Sequence, residues 1–457
     1  MSSLADDLRA AVGAENVSVS PADRAAHAGD KWFAAHEPEI VVFAGSTAEV
    51  AATLKLAAER RVPVTTRGAG VGYVGGCVPV RGGIVLSTAR MNRIREINIA
   101  DGVAVVEPGV VTGDLQAAVR RLGWYYPPDP ASLKECSLGG NIATNAGGPR
   151  CLKYGVTRHY VLGLEAVLAD GTIVRAGGRC HKNKTGFDLI GLFVGSEGML
   201  GVVTEATLRL IPHPPARAAL SASFSTFAEA AAAVQAVLGA GFLPAALEIS
   251  DRFTLEAARR RLGADRLPPG ESLLILEVDG QAESVKHEIW LLERVLQEAA
   301  ALQIVRAETE PQVEALWDQR REFSYSLRDT GLTKLNEDVV VPRGRLVELV
   351  TFCEHLQART GIAIACFGHA GDGNIHVNLM VADIDDPAVR AKAEAALDVL
   401  FQQIIAMGGA ITGEHGIGLA KKRWFADAVG PGAVTLHQRL KQALDPHQLL
   451  NPGKFLG

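Results

Sequence analysis

The sequence lacks the features that would tie it to a membrane, to nucleic acid or to a disulfide-linked scaffold. Its six cysteines, at positions 77, 136, 151, 180, 353 and 366, form no CxxC pair. Neither a disulfide framework nor an iron–sulfur cluster is therefore expected, and packed free thiols are. No uninterrupted apolar run approaches the roughly 18 residues that a membrane-spanning helix needs. The formal net charge is −5 without any run of Lys or Arg, which argues against nucleic acid as a partner.

The first residues, MSSLADDLRAAVGAENVSVS, show no basic region followed by an apolar stretch, so no secretory signal is expected. We therefore expect the protein in the cytoplasm, either free or held peripherally at the inner membrane through a partner. What the chain does have is 48% apolar and 21% charged residues over 457 positions. These values are typical of a globular protein with two or three domains.

Helix and strand patterns alternate along the chain without an internal repeat. Ser46 and Glu49 form a capping-box signature for a helix, and VPVTT follows as a short strand. The prolines of IPHPP, just before residue 216, indicate a domain boundary. Beyond it, helical stretches alternate with strands such as EDVVVP, IAIACFGH and IHVNLMV, and a helix is predicted from Pro387 to the Gly408-Gly409 pair. The predicted fold class is α+β with two domains, before and after about residue 214.

A glycine-rich loop follows the VPVTT strand. Residues 70–75, GVGYVG, satisfy the pattern GxGxxG. A Rossmann loop must open into a helix that carries the pyrophosphate, whereas here GCVPVRGG leaves no room for that helix. The pattern therefore disfavours a nicotinamide site and favours an anion-binding nest of backbone N–H groups. A plain glycine turn is the alternative.

A second glycine cluster spans residues 127–155, PPDPASLKECSLGGNIATNAGGPRCLKYG. Its two Gly-Gly pairs, 139–140 and 147–148, are flanked by small residues. Such a run allows the backbone to approach a large flat ligand closely, with amides available as donors.

Two histidines flank a tight turn in FGHAGDGNIHVNLM, residues 367–380. A single His on a strand is usually a satisfied core residue, but His369 and His376 can point at one position from the mouth of a hairpin. The later stretch TGEHGIG adds Glu414 and His415. Two imidazoles and one carboxylate suit a divalent ion such as zinc, iron(II) or manganese, and three protein ligands leave positions open for a substrate.

These blocks, with GSEGMLGVVTEATL, resemble the FAD-binding domain of the vanillyl-alcohol oxidase/p-cresol methylhydroxylase superfamily. Within it, the chain is most similar to the D-2-hydroxyacid dehydrogenases: D-lactate dehydrogenase, D-2-hydroxyglutarate dehydrogenase and the flavin subunit of glycolate oxidase. The resemblance implies a helical segment over 1–35, a p-cresol-methylhydroxylase-type FAD-binding domain over 36–213, and a substrate- and metal-binding domain over 214–457. This last domain is expected to be an antiparallel sheet covered by helices, with a tail that returns to the FAD domain.

The resemblance also implies which residues hold FAD. The first loop contributes Arg67, Gly68, Ala69, Gly70, Val71, Gly72 and Tyr73. The later blocks contribute Pro130, Ser132, Ser137, Gly139, Gly140, Asn145, Gly147, Gly148, Gly155, Val203 and Asn451. Some relatives tether the flavin through a His in the first loop, where this chain has Tyr73 and Val74, so non-covalent FAD is expected. Cys77 is the alternative tether, and a packed thiol is the preferred interpretation.

In the metal-dependent members, the motif HxGDGNxH supplies two metal ligands, which match His369 and His376. The motif EHG supplies a carboxylate ligand, matching Glu414, and a catalytic base, matching His415. Asn378 matches a substrate-contacting Asn. An Arg and a Lys bind the substrate carboxylate in relatives, and we assign Arg321 and Lys334 to that role. For Arg320 and Arg328, a solvated helix face with ordinary charges is the alternative interpretation. Lys454 either returns toward the flavin domain or is an exposed terminal charge.

The predicted function is oxidation of a small D-2-hydroxy acid, D-lactate or glycolate, to the 2-oxo acid, with FAD and a divalent metal, zinc before manganese or iron. The alternatives are a D-2-hydroxyglutarate dehydrogenase, the flavin subunit of a multi-subunit glycolate oxidase, an FAD-bearing assembly subunit, or a transferase of alkyl-glycerone-phosphate synthesis. Electrons would pass to an external quinone, cytochrome, electron-transfer flavoprotein or iron–sulfur subunit. A homodimer is left open.

Overall fold

The chain divides into two units, each built from more than one stretch of sequence. The computed structural model describes residues 3–456. The first unit comprises residues 1–148, 155–213 and 414–457, and the second comprises residues 149–154 and 214–413. The last segment of the chain is thus part of the first unit, and a six-residue segment from within the glycine-rich block is part of the second.

The first unit contains three sheets. Its helices and strands are α1 (Leu4–Val12), β1 (Val17–Ser18), α2 (Pro21–Ala26), β2 (Ile40–Phe43), α3 (Thr47–Arg60), β3 (Val64–Arg67), β4 (Ile84–Ser87), β5 (Ile94–Asn98), β6 (Val103–Val106), α4 (Thr112–Arg120), β7 (Trp124–Tyr125), α5 (Leu138–Thr144), β8 (Val161–Val167), β9 (Ile173–Gly177), α7 (Leu189–Phe193), β10 (Val202–Arg209), β11 (Ile211–Pro212) and α14 (Lys422–Leu444). The sheet orders are β1-β2-β4-β3, with β2, β4 and β3 parallel, then β5-β6-β10-β8-β9 and β7-β11, both antiparallel.

Helix α3 shows how local sequence fixes an element that supports the predicted cofactor loop. The Ser46 hydroxyl accepts a hydrogen bond from the N–H of Glu49 at 3.2 Å, which satisfies a backbone donor that the helix leaves open. Val50 and Leu54 are buried against the parallel sheet. The predicted helix start is confirmed. After β3 the chain runs as an irregular loop through Gly70 and Gly75, both at positive φ, and not as a Rossmann helix.

The second unit contains one seven-stranded antiparallel sheet. Its elements are α6 (Cys151–Tyr154), β12 (Ala216–Phe224), α8 (Phe227–Gly239), β13 (Ala246–Ser250), α9 (Arg252–Leu262), β14 (Ser272–Gly280), α10 (Ala282–Glu298), β15 (Gln303–Ala307), α11 (Glu310–Arg328), β16 (Thr333–Val340), α12 (Leu346–Thr360), β17 (Ala363–His369), β18 (Asn374–Val381) and α13 (Pro387–Ala406). The strand order is β15-β12-β14-β13-β17-β18-β16.

The two faces of this sheet differ in chemistry. Opposed residues in an antiparallel pair share a face, and Glu248 is opposite His369, while Asp338 and Phe367 are both opposite His376. The intervening positions, such as Leu247, Ile375 and Val377, are apolar and lie on the other face. Both faces are buried along β18. A polar cluster is therefore built into a covered face, where each group needs a partner.

No helix within residues 3–456 is both long enough and apolar enough to span a bilayer. None of the six cysteines, all of which lie within residues 3–456, forms a disulfide. The prediction of packed thiols is confirmed for Cys136, Cys353 and Cys366, which are buried, and is wrong for Cys180, which is exposed.

Candidate active site

The histidine hairpin has the predicted form. Strands β17 and β18 pair in register from Ala363 opposite Met380 to His369 opposite Asn374. The turn is closed by the N–H of Asp372, which donates to the carbonyl of His369 at 3.1 Å, and by Gly373, which has φ +78°. A side chain on Gly371 would meet Leu152 at 2.4 Å. Gly373 is therefore required by its left-handed backbone, and a side chain on Gly371 would displace Leu152.

A buried carboxylate holds the first histidine. Glu248, on β13, is 1% exposed. Its Oε1 lies 2.6 Å from Nδ1 of His369, and its Oε2 accepts from Nε of Arg320 at 2.7 Å. Burial alone would raise the pKa of Glu248, but its contacts with His369 and Arg320 lower it to about 2. Glu248 is therefore ionised across the neutral range.

A second buried carboxylate, Asp338 on β16, fixes the segment that precedes Glu414. Its Oδ2 accepts from the hydroxyl of Thr412 and from the N–H of Gly413, both at 2.9 Å. Its Oδ1 accepts from the side-chain amide of Asn374 at 2.6 Å. The second unit ends at Gly413, so Asp338 anchors the residue to which Glu414 is directly bonded.

The three predicted metal ligands are brought together. His369, His376 and Glu414 each offer one ligand atom, and these atoms lie within 4.8 Å of one another. The rings of the two histidines are 5.6 Å apart and nearly perpendicular. Two imidazole nitrogens and one carboxylate oxygen match the donor set of a catalytic zinc site and also suit manganese or iron(II). The residues present thus fit a divalent ion.

The predicted substrate residues fall in different environments. Lys334 donates to the Ser324 hydroxyl at 2.9 Å, and burial, with the nearby charge of Arg328, lowers its pKa to about 8. Asn378 is fully buried, and its amide donates to the carbonyls of Ala365 and His376. Its Oδ1 has no hydrogen-bond partner within residues 3–456. An acceptor buried in this way is available to a ligand donor.

Arg321 does not face this cluster, because it lies on the outer side of α11. Its side chain is 53% exposed and pairs with Glu314 at 2.9 Å and Asp318 at 2.6 Å. The neighbouring Arg320 is 9% exposed, and its guanidinium stacks over the ring of Phe367 at 4.8 Å. The interpretation of Arg320 as a solvated charge is wrong, and the structure favours Arg320 over Arg321 as the cation of the polar face.

In the first unit, the two glycine clusters adjoin. A Cβ added to Gly68 would come within 2.5 Å of the Ser137 hydroxyl and 3.6 Å of the N–H of Gly140. A Cβ added to Gly139 would meet Pro108 at 2.5 Å. The absence of side chains at both positions allows this close approach. Segments about 70 residues apart in sequence thus pack against each other.

The C-terminal tail is tied to the same loop. The Oδ1 of Asn451 accepts from the N–H of Thr66 at 3.0 Å, and its amide donates to the carbonyl of Glu197 at 2.5 Å. Lys454 is fully buried and donates to the carbonyl of Val78. The interpretation of Lys454 as an exposed terminal charge is therefore wrong. Burial of the side chain lowers its pKa to about 8.

The predicted base, His415, follows the last metal ligand and adjoins the first loop. Its Nε2 lies 3.8 Å from Oε1 of Glu414, and its ring centre is 5.5 Å from that of Tyr73. The next residues are held by Glu197, whose carboxylate accepts from the N–H groups of Ile417 and Gly418 at 2.7 and 2.8 Å. Burial raises the pKa of Glu197.

Sequence reasoning missed three charged residues of these sites, Glu197, Glu248 and Asp338, and did not select Arg320. One signal was present for Glu248, an acid within the apolar strand sequence AALEIS, because burying a carboxylate requires partners. Arg320 carried another, since it follows Trp317 by three positions on the apolar stripe of α11.

Comparison of the sequence with known protein families identifies the family of this chain. The family model for the C-terminal domain of FAD linked oxidases matches residues 213–455, and the model for the FAD binding domain matches residues 38–177. Glycolate oxidase subunit GlcD of Bacillus subtilis (strain 168) is 39% identical over 418 residues, which cover 92% of this chain and 89% of that protein. D-lactate dehydrogenase of Anaerostipes hadrus is 35% identical over 427 residues, with coverages of 92% and 89%.

Solved structures show the same fold. The structure of p-cresol methylhydroxylase with substrate bound has a TM-score of 0.78 and 20% identity, and covers 99% of this chain and 96% of that chain. An alkyldihydroxyacetonephosphate synthase has a TM-score of 0.75 and 19% identity, with coverages of 99% and 84%. The predicted two-domain α+β fold is therefore confirmed.

Proposed function

Because the chain belongs to the FAD-linked oxidases, we propose that it oxidises a small D-2-hydroxy acid to the corresponding 2-oxo acid. Relatives named as a glycolate oxidase subunit and as D-lactate dehydrogenases support this substrate class and favour glycolate or D-lactate. The observation that carries the proposal is the convergence of ligand atoms from His369, His376 and Glu414 within 4.8 Å. A divalent ion held by these three residues would act as a Lewis acid on the oxygen atoms of an α-hydroxy acid.

Each residue has a separate task. Bound FAD would accept the two electrons, and a divalent ion on the three ligands would lower the pKa of the substrate hydroxyl. His415 takes the hydroxyl proton as general base. Lys334 binds the remaining carboxylate charge, and Asn378, whose Oδ1 has no hydrogen-bond partner within residues 3–456, contacts the substrate. Loss of two electrons and two protons then gives the 2-oxo acid.

The electrons must leave to an external acceptor, such as a quinone, a cytochrome, an electron-transfer flavoprotein or an iron–sulfur partner subunit. The Bacillus subtilis relative is named as a subunit of glycolate oxidase, which favours a multi-subunit assembly as the second candidate.

The test is anaerobic flavin bleaching. The purified holoprotein should lose its oxidised flavin absorbance with D-lactate or glycolate, respond weakly to L-lactate, and lose the response after treatment with a chelator. His415→Ala should slow bleaching by at least a hundredfold while FAD remains bound. His355→Ala, an exposed helix position, is the control. Bleaching of His415→Ala at the rate of the control would remove His415 from its role, and no response to any 2-hydroxy acid would refute the proposal.

A further inference from the structure

The carboxylate of Glu248 is divided between two partners in an uneven way. Oε2 receives both Nε and Nη2 of Arg320, each at 2.7 Å. Oε1 is 2.6 Å from Nδ1 of His369. The strongest Arg–carboxylate pairs are bidentate, with two parallel hydrogen bonds to the two carboxylate oxygens. Here the guanidinium uses one oxygen, and the other is left to the histidine.

The burial of this group also argues for a role beyond stability. Glu248 is 1% exposed and Arg320 is 9% exposed. Removing such a pair of charges from water costs about as much as their attraction returns, so a buried ion pair is weak evidence of a stabilising role. Retaining one is more readily explained when the charges orient a neighbouring group.

From this geometry we propose that Glu248 is the positioning residue of the metal site. Because Arg320 occupies Oε2 and Oε1 lies 2.6 Å from Nδ1 of His369, Glu248 holds His369 with the proton on Nδ1 and presents Nε2 to the ion. Arg320 balances the charge of Glu248 and fixes its rotamer through the stack on Phe367. This inference rests on the proposed function through its metal ion, although it concerns residues that are not ligands.

The substitution Glu248→Gln gives a specific expectation. Arg320 is a donor in all its N–H groups, so it should claim the amide oxygen of the glutamine. The amide NH2 would then face Nδ1 of His369 and favour the tautomer with the proton on Nε2, the nitrogen needed for the metal. The variant keeps the volume of the side chain at position 248 but moves the proton of His369 to the other ring nitrogen.

Glu277→Gln is the matched control. Glu277 lies on the neighbouring strand β14, is 1% exposed, and accepts from Arg150 at 2.9 Å and Arg217 at 3.1 Å. It also accepts from Nε1 of Trp317 at 2.6 Å, in place of a histidine. Both variants neutralise a buried acid beside arginine, and they differ in the third partner.

The experiment measures zinc affinity by competition with a chromophoric chelator on metal-stripped holoprotein, together with the 15N shifts of labelled histidines. We expect Glu248→Gln to weaken zinc binding 10- to 100-fold and to move the His369 proton from Nδ1 to Nε2. Glu277→Gln should change the affinity less than threefold. Equal affinities of the two variants, or an unchanged His369 tautomer, would overturn the inference. A parent protein that binds no divalent ion would overturn it together with the metal of the proposed function. If the zinc affinities of the two variants differ as expected but no 2-hydroxy acid bleaches the flavin of the parent holoprotein, only the substrate proposal is refuted.

Discussion

The substitution Gly373→Ala tests why the histidine turn has a glycine at position 373, where both the backbone conformation and a close neighbour disfavour a side chain. Gly373 has φ +78°, and a Cβ there would lie 2.1 Å from the carbonyl oxygen of Val341. The backbone term costs about 1–2 kcal/mol, and is offset by roughly 0.4–1 kcal/mol from the lower entropy of the unfolded chain. Relieving the overlap adds about 1–3 kcal/mol. Gly373→Ala should therefore destabilise the protein by about 1–5 kcal/mol.

Two other glycines of the second unit isolate these contributions. Gly331 has φ +77° with nothing within 4 Å of an added Cβ, so Gly331→Ala carries the backbone cost alone, about 1 kcal/mol. Gly344 has neither a positive φ nor a near neighbour, so Gly344→Ala should be neutral or stabilising by about 0.5 kcal/mol.

The assay is guanidinium unfolding followed by circular dichroism, with zinc affinity measured in parallel. Because the turn spaces His369 and His376, Gly373→Ala should also weaken zinc binding, whereas the other two variants should not. If Gly373→Ala were no less stable than Gly331→Ala, the contact with Val341 would not constrain the turn, and the close-approach argument would fail.

Two further outcomes are expected. The pKa of Lys334 is about 8 in the folded protein and ordinarily 10.5, so the unfolded chain binds more protons between these values and stability should rise with pH from about 8 to 10.5. Lys334→Met should flatten that rise by up to about 3 kcal/mol in pH-dependent unfolding, and an unchanged slope would contradict a buried ammonium. Asn451→Ala breaks the bonds to Thr66 and Glu197 and should raise the FAD dissociation constant at least tenfold by fluorescence titration, while Gln448→Ala, also at positive φ, should not.

Local signals in the sequence were sufficient for much of the second unit. The alternation of apolar and polar residues around the GDGN turn predicts β17 and β18, and the proline at position 387 marks the start of α13. The same hairpin fixes where His369 and His376 lie, because register follows from the turn. Residues close in sequence could therefore be placed correctly.

Contacts between distant segments could not be read in this way. Glu248 reaches His369 across 121 positions, and Asp338 reaches Gly413 across 75. Pairing of strands such as β13 with β17 depends on the whole sheet, which local periodicity does not specify. The choice between Arg320 and Arg321 was accessible, because the helical repeat that includes Trp317 and Phe323 places Arg320 on the apolar stripe.

The discontinuous make-up of the two units has a consequence for biosynthesis. Every residue of the second unit has been translated once the ribosome passes residue 413, whereas the first unit still lacks its final stretch from 414 onward. The second unit can therefore fold first. The first unit cannot complete its fold until residues from 414 onward are translated, because Val64 at the edge of its parallel sheet forms a bridge with Leu450. For the same reason, cutting the gene at residue 213 would yield two fragments, neither of which is a complete folding unit.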